Sequence, residues 1–224
     1  MHSYIIIHHT YQTCEVALFI DHTLYNTVIE EKRFTSKLLI SMLDVLLQKN
    51  SRSLTDLSFI GINQGPGLFS TLRSIIATVN GLHCAVGIPL IGVDALDATT
   101  QEFYDERYPM SVVLLDAFNH EVYYAITEKK QIIAKGYDKI EHFLPMLVEQ
   151  YPSKYIRFIG QGAQLYKNMI VGMGQGNFIV PDDIPLLCSV DMIGKRAFEI
   201  FLTQKNRYGY LFPLHLKKHP VEKQ

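Results

Sequence analysis

The sequence predicts an α/β protein of two similar lobes, each a β-meander followed by alternating helices and strands. Three observations predict it. Short β-prone runs joined by turn-sized connections open both halves, at 4–29 and at 111–135. In each half, segments of helical periodicity then alternate with further apolar runs. Tyr108-Pro109 marks a break between the halves, which gives lobes of 1–106 and 107–224. The 224 residues suit two small lobes, and the 48% of apolar side chains can fill a sizeable core.

Taken in order, Tyr4–Ile7, Glu15–Ile20 and Leu24–Ile29 read as three antiparallel strands, with Asp21-His22 as a turn. Thr35 and Ser36 are N-cap residue types, and KLLISMLDVLLQKN after them reads as a helix. Its apolar residues are Leu38, Leu39, Ile40, Met42, Leu43, Val45, Leu46 and Leu47, more than one stripe requires. One face packs on the sheet. The excess implies either a second partner or a helix deep in its own core, and periodicity does not separate the two. Leu57–Ile62 reads as a buried strand, GPGLFSTLR leads into a helix to about Val86, and Gly87 terminates it. Leu90–Val93 is a strand and Ala95–Tyr104 a helix.

In the second half, Ser111–Leu115, Glu121–Thr127 and Gln131–Lys135 read as strands. Ile140–Gln150 reads as a helix that Pro145 should kink or break. Ile156–Ile159 and Phe178–Val180 are strands, and Gln164–Ile170 and Ser189–Leu202 are helices, with Ser189 an N-cap candidate. A meander followed by α-β-α, present twice, is the plan of the actin-like, hexokinase and heat-shock ATPase (ASKHA) superfamily.

Composition narrows the function. The formal net charge of −1 gives no basis for stand-alone nucleic-acid binding through a globally basic surface. Cys14, Cys84 and Cys188 are too few and too dispersed for a zinc or disulfide framework, and read as reduced thiols. The apolar run Tyr4–Ile7 is too short for a signal-peptide core, and no later run is long enough to cross a bilayer, so a cytoplasmic protein is expected.

The most informative stretch is 61–98. Gly65-Pro66-Gly67 forms a tight turn between strand and helix, and the helix N-terminus beyond it offers unpaired N–H groups to an anion. On its own such a turn is more often a structural strand-to-helix device than an anion site. The longer stretch resembles the pattern GPGSFTGLR, a long helix and GIPLIGV shared by the TsaB and TsaD families. Gly65, Pro66, Gly67, Phe69, Leu72 and Arg73 match, as do Gly87, Ile88, Pro89, Leu90, Gly92 and Val93, whereas Leu68, Ser70 and Thr71 depart. YIIIHHTYQTCEVALF resembles the first TsaB hairpin, ILAIDTATxxCSVAL. Asp116, Ala117, Glu121, Val122, Tyr123 and Ala125 follow its DARxxEVYxA segment, and 213–217 resembles its closing PxYLR. The chain is similar to the bacterial TsaB (YeaZ-like) family. The likeness is strong over 57–98 and patchy over 130–205.

TsaD-like catalysts carry two histidines four residues apart just after GIPLIGV, a spacing that puts both imidazoles on one helix face for a metal. Ala95 and Thr99 stand there in this chain. ATPases of the superfamily keep an acidic residue for Mg²⁺ at the end of the first strand. The matching residue is His8, a poor replacement for a hard oxygen donor. His8 and His9 face opposite sides of a strand and read as a satisfied or exposed pair. His215 and His219 have helical spacing, but flanking prolines argue for a solvated tail. Asp94 and Asp97 read as helix caps, and Asp116 and Glu121 as turn residues or cleft-facing groups. Ser70 lacks a nucleophile elbow.

The resemblance therefore implies a non-catalytic scaffold or activating subunit with no cofactor of its own. ATP and Mg²⁺ act in partner subunits, a TsaD-like transferase and a TsaE-like ATPase. A homodimer is a further option, and tRNA is met only through the complex. Gly65, Pro66, Gly67 and Asp116 would be remnants of a nucleotide site. Ser74, Thr78, Gly81 and Ala85, with Ala77 beside them, form a stripe of small residues on the helix after GPG. This stripe, with Leu39, Met42, Leu43 and Leu46 of the preceding helix, would form the partner surface. Internal packing is the other reading of the stripe. The alternative function is an autonomous ATP-binding phosphotransferase or carbamoyltransferase of the same fold.

Overall fold

The computed structural model describes residues 1–203, 209–214 and 216. The chain divides into two compact units, 1–95 with 189–214 and 96–188 with 215–224.

Unit one holds β1 (Ser3–His9), β2 (Thr13–Ile20), β3 (Thr23–Glu31), α1 (Thr35–Lys49), β4 (Phe59–Gly65), α2 (Phe69–Val86), β5 (Leu90–Asp94) and the last helix, α7 (Val190–Thr203). Its sheet runs β3-β2-β1-β4-β5. β1 and β2 pair antiparallel, with Ile5 opposite Leu18, and β1 and β4 pair parallel, with Ile5 opposite Ile60. Every residue of β1 is buried, as a central strand covered on both faces requires. α1 and α2 cover one face, packing with Ile5, Ile7, Val16, Leu18, Ile60 and Ile62. α7 packs with β1, β4 and β5, and an aromatic stack joins it to β1, β2 and β4. Tyr4 lies 4.4 Å from Phe59 and 5.3 Å from both Phe19 and Phe198, ring centre to ring centre.

Two expectations need correction here. The first lobe closes at Ala95 rather than 106 and takes back the last helix, which the sequence division had given to the second lobe. The reason is burial: without Phe198 and its neighbours, the Tyr4–Phe19–Phe59 layer would face water. Thr35 lies inside α1 instead of capping it. Phe34 occupies the N-cap without a side-chain bond. Ser189 does cap α7, its Oγ accepting the Met192 N–H at 3.1 Å.

Unit two holds nearly all of α3 (Ala95–Glu102), then β6 (Met110–Asp116), β7 (Glu121–Glu128), β8 (Gln131–Lys139), α4 (Ile140–Gln150), β9 (Ile156–Ile159), α5 (Gln161–Leu165), α6 (Lys167–Gly174) and β10 (Phe178–Ile179). The sheet order β10-β9-β6-β7-β8 repeats that of unit one strand for strand. Val112, Leu114, Phe143, Leu147, Phe158 and Ile170 lie in its core. Pro145 does not break α4, which runs unbroken across it. The proline is exposed, while Phe143, Leu144 and Leu147 anchor the helix. The single helix expected at 164–170 is two short ones divided at Tyr166. Among the described residues, no helix is long and apolar enough to cross a membrane.

Candidate functional site

β4 carries its buried run to Gly65, whose φ of +106° is open to glycine and strained for other residues. The Gly65–Pro66 peptide is cis. A Cβ at Gly65 would lie 2.9 Å from Leu72 Cδ2, so α2 is packed tightly against the turn. The Leu72 N–H bonds the Leu68 carbonyl, and the Arg73 guanidinium covers the Phe69 ring at 3.8 Å. A Cβ at Gly67 would lie 3.1 Å from His9 Nε2, a tight contact that a small shift of the imidazole would have to relieve.

His9 and His8 end β1 beside this turn, and both are buried. Asn63, 1% exposed, ties them to the turn. Its amide nitrogen donates to the His9 carbonyl at 3.1 Å and lies 3.3 Å from His8 Nδ1, and its Oδ1 accepts the Gly65 N–H at 2.9 Å. Neither ring nitrogen of His9 has a hydrogen bond among the described residues. Burial, and then the neighbouring His8, push its pKa down to about 3. His9 is thus neither satisfied nor exposed, contrary to expectation, and stays neutral near pH 7.

Asn63 was not singled out in the sequence. An amide ending an apolar strand directly before a Gly-Pro-Gly turn is the signal that marks it. Gln64 was missed as well. Its Nε2 donates to the Phe212 carbonyl at 2.6 Å and its own carbonyl accepts the Leu214 N–H at 3.0 Å. Asn80 of α2 holds the Leu211 backbone by both groups, each at 2.9 Å. Residues 211–214 are therefore strapped to the turn and to α2. His215, Lys217 and His219 lie outside the described residues.

At the start of α3, Ala95 and Thr99 are buried, and Thr99 Oγ1 accepts the Cys188 N–H at 3.1 Å. Neither position supplies a metal ligand, and among the described residues no three His, Cys, Asp or Glu side chains are grouped to hold a metal ion. Ser70 is an exposed residue of the first turn of α2, and Asp97 lies in the first turn of α3.

Asp116 belongs to unit two, at the end of β6. Its Oδ1 accepts the Phe118 N–H at 3.0 Å, and its own N–H donates to Gln161 Oε1 at 3.3 Å. Burial raises its pKa. Phe118, Asn119 and His120 all have left-handed φ, at 61°, 53° and 60°, so Asp116 braces a strained turn.

The helices beside the GPG turn divide the expected partner residues. Leu39, Met42, Leu43 and Leu46 are no more than 3% exposed and fill the core of unit one, so they are not available to a partner. The exposed apolar residues of α1 are Ile40 and Val45, and Leu38 is half-buried. On α2, Ala77, Gly81 and Ala85 are exposed, and Ser74 and Thr78 are half-buried and joined by a bond from Thr78 Oγ1 to the Ser74 carbonyl. A Cβ at Gly81 would meet nothing within 4 Å.

The sequence model of the TsaD family, tRNA N6-adenosine threonylcarbamoyltransferase, matches residues 24–185. The tRNA threonylcarbamoyladenosine biosynthesis protein TsaB of Escherichia coli is 25% identical over 82% of this chain and 85% of its own length. A transferase from Solidesulfovibrio magneticus is 38% identical over 34% of this chain, but the match spans only 21% of that longer protein. The YeaZ structure from Pseudomonas aeruginosa superposes with a TM-score of 0.69 at 19% identity, covering 95% of this chain and 100% of that one. A second P. aeruginosa structure, of a protein with similarity to peptidase YEAZ, gives 0.71 over 97% and 100%. With both sheets built on the actin-like plan and a family match over most of its length, the chain belongs to the TsaD family, in its TsaB branch.

Proposed function

We propose that this chain is a non-catalytic scaffold or activating subunit in the biosynthesis of tRNA threonylcarbamoyladenosine, working in the cytoplasm beside a TsaD-like transferase and a TsaE-like ATPase. One observation carries the reading. The two positions that would hold metal-binding imidazoles in a TsaD-like catalyst are the buried Ala95 and Thr99, and the Thr99 hydroxyl is already bonded to a backbone N–H. The end of β1 supports it. In place of a carboxylate for Mg²⁺ the chain has a buried histidine pair, and the next imidazole lies directly under the Gly67 turn. ATP and Mg²⁺ act in the partner subunits, and the exposed Ala77–Gly81–Ala85 face of α2 meets the transferase or a second copy.

The test is reconstitution. The purified chain alone, given ATP, Mg²⁺, threonine, bicarbonate and unmodified tRNA, should neither modify tRNA nor hydrolyse ATP above background. Adding it to the TsaD-like and TsaE-like proteins of its own organism, with a source of threonylcarbamoyl-adenylate, should raise their output. Turnover that co-elutes with this chain and disappears on its mutation would establish the autonomous enzyme instead.

A further inference from the structure

The geometry points to a second surface, the end of the unit-two sheet around the β7–β8 turn, as a contact for the phosphate backbone of RNA. The turn consists of Lys129 and Lys130, between Glu128 and Gln131, which pair across the hairpin. Lys129 holds a left-handed φ of 50°, a conformation better suited to glycine or asparagine. The turn is fixed in place: the Lys129 N–H donates to the Pro109 carbonyl at 2.6 Å, and Gln101 Nε2 donates to the Lys130 carbonyl at 3.4 Å. Both lysine side chains are exposed, and both line an open pocket of about 610 Å³ with Tyr104, Glu128, Gln131 and Ile133. The Lys130 ammonium lies 4.8 Å from the centre of the Tyr104 ring, so its charge is held at the pocket wall.

Two acids near the lysines are already paired with other cations. Glu128, the one acid in the pocket lining, is paired with Lys154 at 3.3 Å, and Asp105 is paired with Arg107 at 2.7 Å. Glu102, the last residue of α3, and Glu106, on the loop after it, do not line the pocket. Neither Lys129 nor Lys130 is ion-paired among the described residues. Arg157 of β9, 9% exposed, donates to the Phe103 carbonyl at 2.8 Å and lies 5.5 Å from the Tyr108 ring centre, and its Nε has no hydrogen bond among the described residues. The nearby Asp105 is already held by Arg107.

Two exposed lysines on a backbone held in place, at an open pocket, suit a long polyanion better than a small ligand. Contacts of this kind position a nucleic acid without reading its sequence. That the polyanion is tRNA rests on the proposed function. The net charge of −1 is no objection, because the cations are gathered locally.

The test compares Lys129→Glu/Lys130→Glu with a charge-matched control, Lys32→Glu/Lys49→Glu, two exposed lysines of unit one. Binding of unmodified tRNA is measured across a salt series, for the full chain alone and for its complex with the TsaD-like protein. The expected result for the turn variant, at an unchanged melting temperature, is at least tenfold weaker binding at low salt. Its log-affinity against log-salt slope should be shallower by about 1.4–1.8, the loss of two phosphate contacts. The control should keep both within twofold of wild type. Equal losses in both variants, an unchanged slope in the turn variant, or no tRNA binding by either wild-type form would overturn the proposal. If the complex forms while the turn variant binds as wild type, this surface is wrong and the scaffold reading stands. If the complex does not form, the scaffold reading itself fails.

Discussion

At the residue scale, the chemistry beside the GPG turn is dominated by one buried imidazole. The folded state holds His9 neutral, with a pKa near 3, against an ordinary value of 6.5. The sign follows from which state binds more protons. Between pH 6.5 and 3 the unfolded chain takes up a proton that the folded chain refuses. The stability associated with His9 is therefore complete above about pH 6.5 and is lost as pH falls toward 3, by at most ~1.4 kcal/mol per pH unit. His9→Leu removes this dependence. In denaturant titrations from pH 7 to 4, the stability difference between variant and wild type should widen in the variant's favour as pH falls. A constant difference would show that His9 is not the titrating group. Gly67 supplies a second prediction. A Cβ there meets His9 Nε2 at 3.1 Å, so Gly67→Val should cost about 1–3 kcal/mol by overpacking. His9→Ala in the same chain should recover part of that cost, and strict additivity in the double-mutant cycle would refute the contact. The sequence marked Gly65-Pro66-Gly67 as a tight turn without separating the roles of its two glycines. The positive φ belongs to Gly65, and the close neighbour of Gly67 is a side chain 58 positions away in sequence, which no local pattern reveals.

At the scale of elements, strand and helix order was legible because the chain repeats one plan, and Gly87 ends α2 in the left-handed conformation its position suggested. Which face of each helix points outward was only partly legible. α1 carries apolar residues around much of its circumference, and the structure assigns Leu39, Met42, Leu43 and Leu46 to the core and leaves Ile40 and Val45 outside. A count of apolar residues cannot make that assignment, because it depends on where β2 and α2 lie. The stripe on α2 is easier to read, since small residues at helical spacing share a face whatever that face meets. Gly81 has open space beyond its missing Cβ. Gly81→Leu should therefore leave the melting temperature of the isolated chain unchanged or slightly higher, because leucine is a better helix former than glycine. If the face binds a partner, affinity for the TsaD-like protein should fall tenfold or more, about 1.4 kcal/mol. Leu72→Ala is the opposite case. Leu72 is 2% exposed, and its truncation should cost about 2–5 kcal/mol of stability, with the folded fraction still binding. Unchanged affinity for Gly81→Leu would remove this face from the interface.

At the scale of the whole molecule, the sequence showed two lobes but not which lobe owns the last helix. Assigning 107–224 to the second lobe assumes that neighbours in sequence are neighbours in space. The chain departs from that rule at Ser189, where it returns to unit one. The cause lies in β1, whose buried residues on both faces require a cover on each side. α1 and α2 supply one cover, and α7 supplies the other with Val190, Ile193, Ala197 and Phe198. Residues 1–106 are then not an autonomous domain. Expressed alone, they should lack cooperative unfolding and expose Tyr4, Phe19 and Phe59, with dye binding and aggregation as the readouts. Joining 1–95 to 189–214 through a short flexible linker should restore a cooperative transition, because the linker replaces only the connection through unit two. Within the full chain, Phe198→Ala should cost about 3–5 kcal/mol, the range for truncating a large buried aromatic. The fragment result decides the matter: a cooperative transition from 1–106 alone would mean that unit one does not need α7, and the two-sided burial of β1 would have to come from elsewhere.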